Sequence, residues 1–100
     1  MDKEQCPACG RRTERSDEQK KKLANRLSRI EGQIRGIRKM VDEDAYCNDV
    51  LVQSAAALAA LRAFNRELLR SHLNHCVVRD IREGRPEVVE ELMGTLEKLM

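Results

Sequence analysis

The chain has 100 residues, 36% of them charged, and its only aromatics are Tyr46 and Phe64, so it holds one domain with a core of Leu, Ile, Val, Ala and Met. Such a composition predicts long amphipathic helices and argues against a sheet. No stretch approaches the roughly 20 apolar residues of a membrane span, and the first residues, Met-Asp-Lys-Glu-Gln, lack the apolar core of a secretory signal.

Residues 1–16 read as a flexible N-terminal tail, polar and without a period, carrying the CxxC pair Cys6 and Cys9. Residues 17–100 read as one helical domain. Ser16 or Asp17 can cap its first helix, for which a stripe of Leu23, Leu27, Ile30, Ile34, Ile37 and Val41 predicts a span of roughly 17–42. Gly32 and Gly36, one turn apart, each cost about 1 kcal/mol against Ala, which points to the close approach of another helix or to a bend in this one. The same half of the chain is basic: from Arg11 to Lys39, eleven Lys and Arg face four acids, which suggests a polyanionic partner.

Asp42-Glu43-Asp44 reads as a turn, with Asp44 free to cap the second helix. That helix runs from about Tyr46 to Arg82 without a Gly or Pro, a rod of roughly 55 Å at 1.5 Å per residue. So long a rod on so short a chain implies a partner. Its small-residue centre, Ser54 to Ala60 (SAAALAA), lets another helix come close. Gly84 and Pro86 end it, and an acidic third helix over about 86–98 offers Val88, Val89, Leu92, Leu96 and Leu99 for packing.

Cytoplasmic cysteines are ligands or redox groups more often than structural disulfides. Cys76 lies four residues beyond His72, which places both on one helical face. Cys47 precedes His72 by twenty-five, which returns to nearly the same face, yet about 37 Å away along the axis. One rod cannot bring them together, but two antiparallel copies crossing near Ala60 or Leu61 can. The geometry predicts an isologous dimer with two equivalent shared metal sites. Two thiolates and one imidazole form a soft three-coordinate set that suits copper(I), whereas zinc normally takes a fourth ligand. His75 points about 100° away from Cys76 and is read as a solvent or interface residue.

The run NRLSRIEGQIRGIRKMVDEDAYCNDVLVQSAAALAAL, with SHLNHCV and EELM further along, resembles the CsoR/RcnR family of metal-sensing repressors over about residues 25–99. Cys47, His72 and Cys76 look like its copper-sensing branch. Nickel and cobalt sensors of the family carry His where Cys76 stands, and its persulfide sensors lack the imidazole at His72. The resemblance implies an all-α, three-helix protomer, an antiparallel four-helix-bundle dimer, and a dimer of dimers. It also implies that Tyr46 and Glu91 couple metal binding to DNA release. A carboxylate on the far imidazole nitrogen would fix ring orientation and basicity.

No helix-turn-helix, zinc finger or ribbon motif is visible. Lys22, Arg26 and Arg29 form a polar stripe with Gln33, and Arg62, Arg66 and Arg70 recur every four residues. The resemblance assigns DNA contact to such surfaces and matches Arg26 directly, while a second basic family position falls at Ala63. The expected function is copper(I)-relieved repression: the apo form binds operator DNA upstream of copper-homeostasis genes as a homodimer or homotetramer and lets go when copper(I) binds. A thiol or persulfide switch on the same fold is a second reading, and a copper carrier without DNA binding a third. No enzyme activity, small-molecule substrate or membrane partner is expected, since helical rods rarely supply a catalytic pocket. For the CPACG segment, bipartite zinc, a redox pair, an auxiliary copper site and no function all stay open.

Overall fold

The computed structural model describes residues 13–99, and among these every regular element is helical. Helix α1 spans Asp17–Asp42. The second rod begins as α2, Cys47–Ser71, passes through a π-helical turn, His72–Val77, and ends as α3, Val78–Arg82. Helix α4 spans Val88–Leu99. The backbone stays in the right-handed helical region at His72, Val77 and Val78, so α2, the π turn and α3 are one continuous rod. The protomer thus has three helical arms, as the hydrophobic periodicity predicts. The helix expected over about 46–82 differs only in its π turn, which no Gly or Pro announces. The third helix starts at Val88 because Pro86 and Glu87 are taken up in a tight turn, with Val89 N–H donating to the Pro86 carbonyl at 3.0 Å.

Ser16 caps α1 as expected: its hydroxyl accepts from Gln19 N–H at 3.1 Å. At the other end the expectation for Asp44 is corrected. Asp44 does not cap α2 but closes α1, at φ 56°. Its N–H reaches the Val41 carbonyl at 3.2 Å, while Ala45 N–H reaches Met40 at 2.9 Å. This is a Schellman closure, with Asp in the left-handed position that glycine usually takes. Tyr46 is the N-cap of α2 and supplies no side-chain hydrogen bond. The same closure recurs after α3, now with Gly84 at φ 79°, Arg85 N–H to Asp80 at 2.8 Å and Gly84 N–H to Ile81 at 3.1 Å.

The short turn between α1 and α2 makes them antiparallel neighbours. Lys22 Nζ meets Glu67 Oε2 at 3.8 Å and Thr13 Oγ1 meets Cys76 Sγ at 3.2 Å. Both pairs fit one register folded about Asp44 and Ala45. That register puts Arg26 level with Ala63.

The stripe on α1 divides in two. Leu23 and Ile30 are buried and Ile37 half-buried, whereas Leu27, Ile34 and Val41 are exposed. Leu51, Leu58 and Leu61 of α2 are exposed as well. Each exposed set recurs at helical spacing, so one apolar face is spent inside the protomer and a second is left uncovered. The close helix approach expected at Gly32 and Gly36 is absent within the protomer. A Cβ on Gly36 would meet nothing within 4 Å, and one on Gly32 only the end of Arg35 at 3.8 Å.

Candidate metal centre

His72 opens the π turn and Cys76 lies near its end. A π turn holds one more residue than an α turn, so it rotates the helix beyond it relative to the helix before it. In the result Cys76 and Val77 are buried, with Cys76 only 4% exposed, while His75 is exposed, as expected. His72 and Cys76 line one cavity of about 310 Å³. Asn65, Leu68, Leu69 and Ser71 of α2, Leu92, Thr95 and Leu99 of α4, and Thr13 and Arg15 complete its wall. Thr13 lies over the Cys76 sulfur, and the Nε of Arg15 is buried without a hydrogen-bond partner.

Cys47 lies elsewhere. It is an exposed free thiol at the start of α2, beside Tyr46, which is 72% exposed. Helical rise puts it about 37 Å from His72 along the rod. Among the described residues no three His, Cys, Asp or Glu side chains of one chain converge to hold a metal ion. The chain therefore brings two of the three expected ligands to one cavity and the third to the far end of the same rod. Glu91 does not share the cavity of His72. It is exposed and lines a smaller one, about 150 Å³, with Asp80, Arg85, Glu87 and Val88. On α4 it stands one turn before Thr95, whose hydroxyl donates to the Glu91 carbonyl at 3.2 Å.

Sequence reasoning missed Asp80. In VVRDIREGR it looks like one more solvated acid, yet it is 2% exposed. Its carboxylate accepts from Arg79 Nε at 3.2 Å and Arg85 Nη2 at 3.3 Å, and Arg85 also pairs with Glu83. Burial works against its ionisation, but the hydrogen bonds and positive charges of Arg79 and Arg85 outweigh burial and hold the carboxyl below its ordinary range. Asp80 thus ties α3 to the turn that aims α4. The contact with Arg85, across that turn, reveals it.

Of the basic residues, Lys22, Arg29, Arg62, Arg66 and Arg70 are exposed and Arg26 is half-buried. The Lys22–Glu67 pair joins the two stripes across α1 and α2. Cys6 and Cys9 lie outside the described residues. No helix among those residues is long and apolar enough to cross a membrane.

Described residues whose regular elements are all helical, with a thiol and an imidazole in one cavity and basic stripes on the same rods, have the features of a metal-responsive regulator. The chain belongs to the family of metal-sensitive transcriptional repressors, whose model matches residues 19–98. It is a transcriptional regulator and not an enzyme. The copper-sensing transcriptional repressor RicR of Mycobacterium tuberculosis is 52% identical over 69 residues, covering 69% of this chain and 72% of that one. The copper-sensing repressor CsoR of Bacillus subtilis is 44% identical over 85 residues, covering 84% of each. Among solved structures, CsoR of Geobacillus thermodenitrificans with Cu(I) superposes with a TM-score of 0.83 at 45% identity, over 87% of this chain and 92% of that one. The nickel-responsive regulator InrS superposes with a TM-score of 0.67 at 41% identity, over 89% and 98%.

Proposed function

We propose that this chain is a cytoplasmic copper(I)-responsive repressor, which holds operator DNA without metal and releases it when copper(I) is bound by Cys47 of one protomer with His72 and Cys76 of its partner. The observation that carries the proposal is the split donor set: His72 and Cys76 share a cavity at one end of a rod whose other end bears Cys47. An antiparallel dimer joins the two ends, and the uncovered face of Leu51, Leu58 and Leu61 supports it. Each such half-exposed side chain contributes about 1 kcal/mol when fully covered. Several per protomer, counted on both chains, offset a large part of the cost of association. A dimer of dimers, which the family resemblance implies, is the proposed DNA-binding unit.

The donor chemistry fits a soft ion. Two thiolates and an imidazole favour copper(I) over nickel or zinc. Two thiolates around a monovalent ion leave one net negative charge, and Arg15, whose Nε lacks a partner in the cavity wall, is placed to offset it. Cys76 must give up its proton and its contact with Thr13 to bind. His72 turns one nitrogen to the site and presents the other toward α4, where Glu91 accepts from it after a shift of that helix. The π turn moves together with α4: Arg62, Arg66 and Arg70 precede it on the rod, and a change in its winding as α4 closes re-aims them relative to α3 and α4. Binding at Cys76 is thereby coupled to the DNA face.

The deciding experiment titrates the reduced protein with copper(I) while operator binding is monitored by fluorescence anisotropy. Occupation of the Cys47, His72 and Cys76 site weakens DNA binding, and by linkage DNA weakens copper binding by the same factor, about 5–150-fold in allosteric proteins. Equal copper affinities with and without DNA would refute the proposal.

A further inference from the structure

We infer that Arg15 sets the valence preference of the His72–Cys76 centre: its guanidinium puts a fixed positive charge in the cavity wall and turns the site toward a monovalent soft ion and away from divalent ones. The inference rests on the reading of that cavity as a copper(I) site and adds the residue that discriminates by charge. Residues 13–16 lead into α1, and exposure alternates along them. Thr13 and Arg15 are half-buried, whereas Glu14 and Ser16 are exposed. The alternation turns the base inward and its acidic neighbour outward. The segment is held at both ends. The Thr13 hydroxyl lies 3.2 Å from the Cys76 sulfur, and the Ser16 hydroxyl accepts from Gln19 N–H at 3.1 Å. Between these two anchors Arg15 joins the cavity wall.

What Arg15 lacks there is an anion. Among the described residues its Nε is buried without a hydrogen-bond partner, and no acid forms an ion pair with it. No Asp or Glu lines the cavity, so among the described residues Arg15 is the one fixed charge in a wall of Leu and neutral polar side chains. A buried guanidinium nitrogen left in this state costs stability, which a negative centre inside the cavity relieves. Charge counting gives the sign. Two thiolates and a neutral imidazole around a monovalent ion leave one negative charge, which Arg15 cancels. Around a divalent ion they are already neutral, and Arg15 adds an uncompensated positive charge. Net charge among apolar walls is penalised, so the monovalent ion is favoured. Across a cavity of about 310 Å³, roughly 8 Å wide, one unit charge alters the affinity for another by roughly thirtyfold at an effective dielectric of about 20. Solvent on the open side of the half-buried Arg15 reduces this to about tenfold.

The test measures copper(I) and zinc(II) affinities of the full-length reduced chain by chelator competition, on a Cys6→Ser/Cys9→Ser background, and compares their ratio among variants. Zinc(II) is the divalent probe because it accepts thiolate and imidazole donors. Arg15→Met keeps the stem and removes the charge, and should lower the copper(I)-to-zinc(II) affinity ratio about tenfold. Arg15→Lys keeps the charge and should retain most of the ratio. Exchanging the two charges, Glu14→Arg/Arg15→Glu, preserves the net charge of the chain and should lower the ratio about a hundredfold. Glu14→Gln, on the outer side, should leave it unchanged. A loss of folding weakens both metals together, so the ratio isolates the effect of charge. An Arg15→Met ratio equal to that of the parent would overturn the inference. So would an Arg15→Lys ratio as low as that of Arg15→Met, because shape and not charge would then decide. Copper(I) affinity left intact in Cys47→Ala/His72→Ala/Cys76→Ala would instead overturn the cavity reading, and the inference with it.

Discussion

Cys47→Ala and Cys76→Ala each remove one of three proposed ligands, and mixing the two chains tests whether the site spans protomers. Cys6 and Cys9 are replaced by Ser in both chains so that no other thiol competes for the metal. The two sulfurs sit about 40 Å apart on one rod, so neither variant can repair itself within a chain. In a heterodimer, one site takes Cys47 from the Cys76→Ala chain and His72 and Cys76 from the Cys47→Ala chain, and is intact. The other lacks both thiolates. Random exchange makes half the dimers heterodimers, each with one site of two, so the mixture recovers about one quarter of the three-ligand sites of the parent. Competition against a chelator strong enough to strip two-ligand sites measures that fraction, and native mass spectrometry counts the heterodimers. Heterodimers without recovered sites would refute a site shared between chains.

Gly84→Ala should lower stability by about 1–2 kcal/mol, the cost of a side chain in the left-handed region, because nothing lies within 4 Å of the added Cβ to change that figure. Thermal melting reads it as a drop of roughly 4–8 °C per kcal/mol, while Asp44→Gly, at φ 56°, should move the melt the other way. Asp80→Asn should lower the melting temperature at neutral pH. Its carboxyl is held below the ordinary value, so its contribution is complete above the unfolded pKa of about 3.9 and disappears as pH falls through the lower folded value. The gap between wild type and Asp80→Asn should therefore close in acid, and a gap that stays constant below pH 4 would contradict the assignment. Arg26→Ala should weaken operator binding, reduce the salt slope by about 0.9 per lost phosphate contact, and leave copper(I) affinity without DNA unchanged; a fall in that affinity would place Arg26 in the metal site's support.

The three helical arms were legible because each carries an apolar period, and their ends because Ser16 and Gly84 occupy positions where a cap or a left-handed residue is required. Asp44 was misread because Asp serves both at the start of a helix and, less often, in the left-handed position after one. Backbone geometry, not residue type, decides between them. The clustering of His72 with Cys76 could be read from spacing, although the π turn that sets their orientation left no mark. An i to i+5 bond needs no special residue, so HLNHCV reads as ordinary helix. Asp80 was invisible for a different reason: its burial depends on Arg85 arriving from beyond the turn, a contact that periodicity does not encode.

Those two hidden features occupy the same short stretch, and together they supply a physical basis for switching. A metal ligand in a rigid α-helix would have little to move, since neighbouring turns hold it in one register. The proposed ligands His72 and Cys76 instead sit in a π-helical turn, flanked by regular helix on both sides. Just beyond it, Asp80 anchors the base of α4 through Arg85, while the middle of α4 faces His72 across a cavity of about 310 Å³. Space of that size lets α4 close on the rod without first breaking a packed core. In the proposed mechanism the fixed end and the open middle would let α4 act as a lever hinged at the Gly84 turn, biased by copper(I) at Cys76. Cutting the hinge's tie with Asp80→Asn should therefore blunt the response of DNA binding to copper(I) more than it alters either affinity measured alone. Titrations of the variant in the presence and absence of operator measure that coupling, and a coupling factor equal to wild type would show that α4 closure is not the transmitting motion.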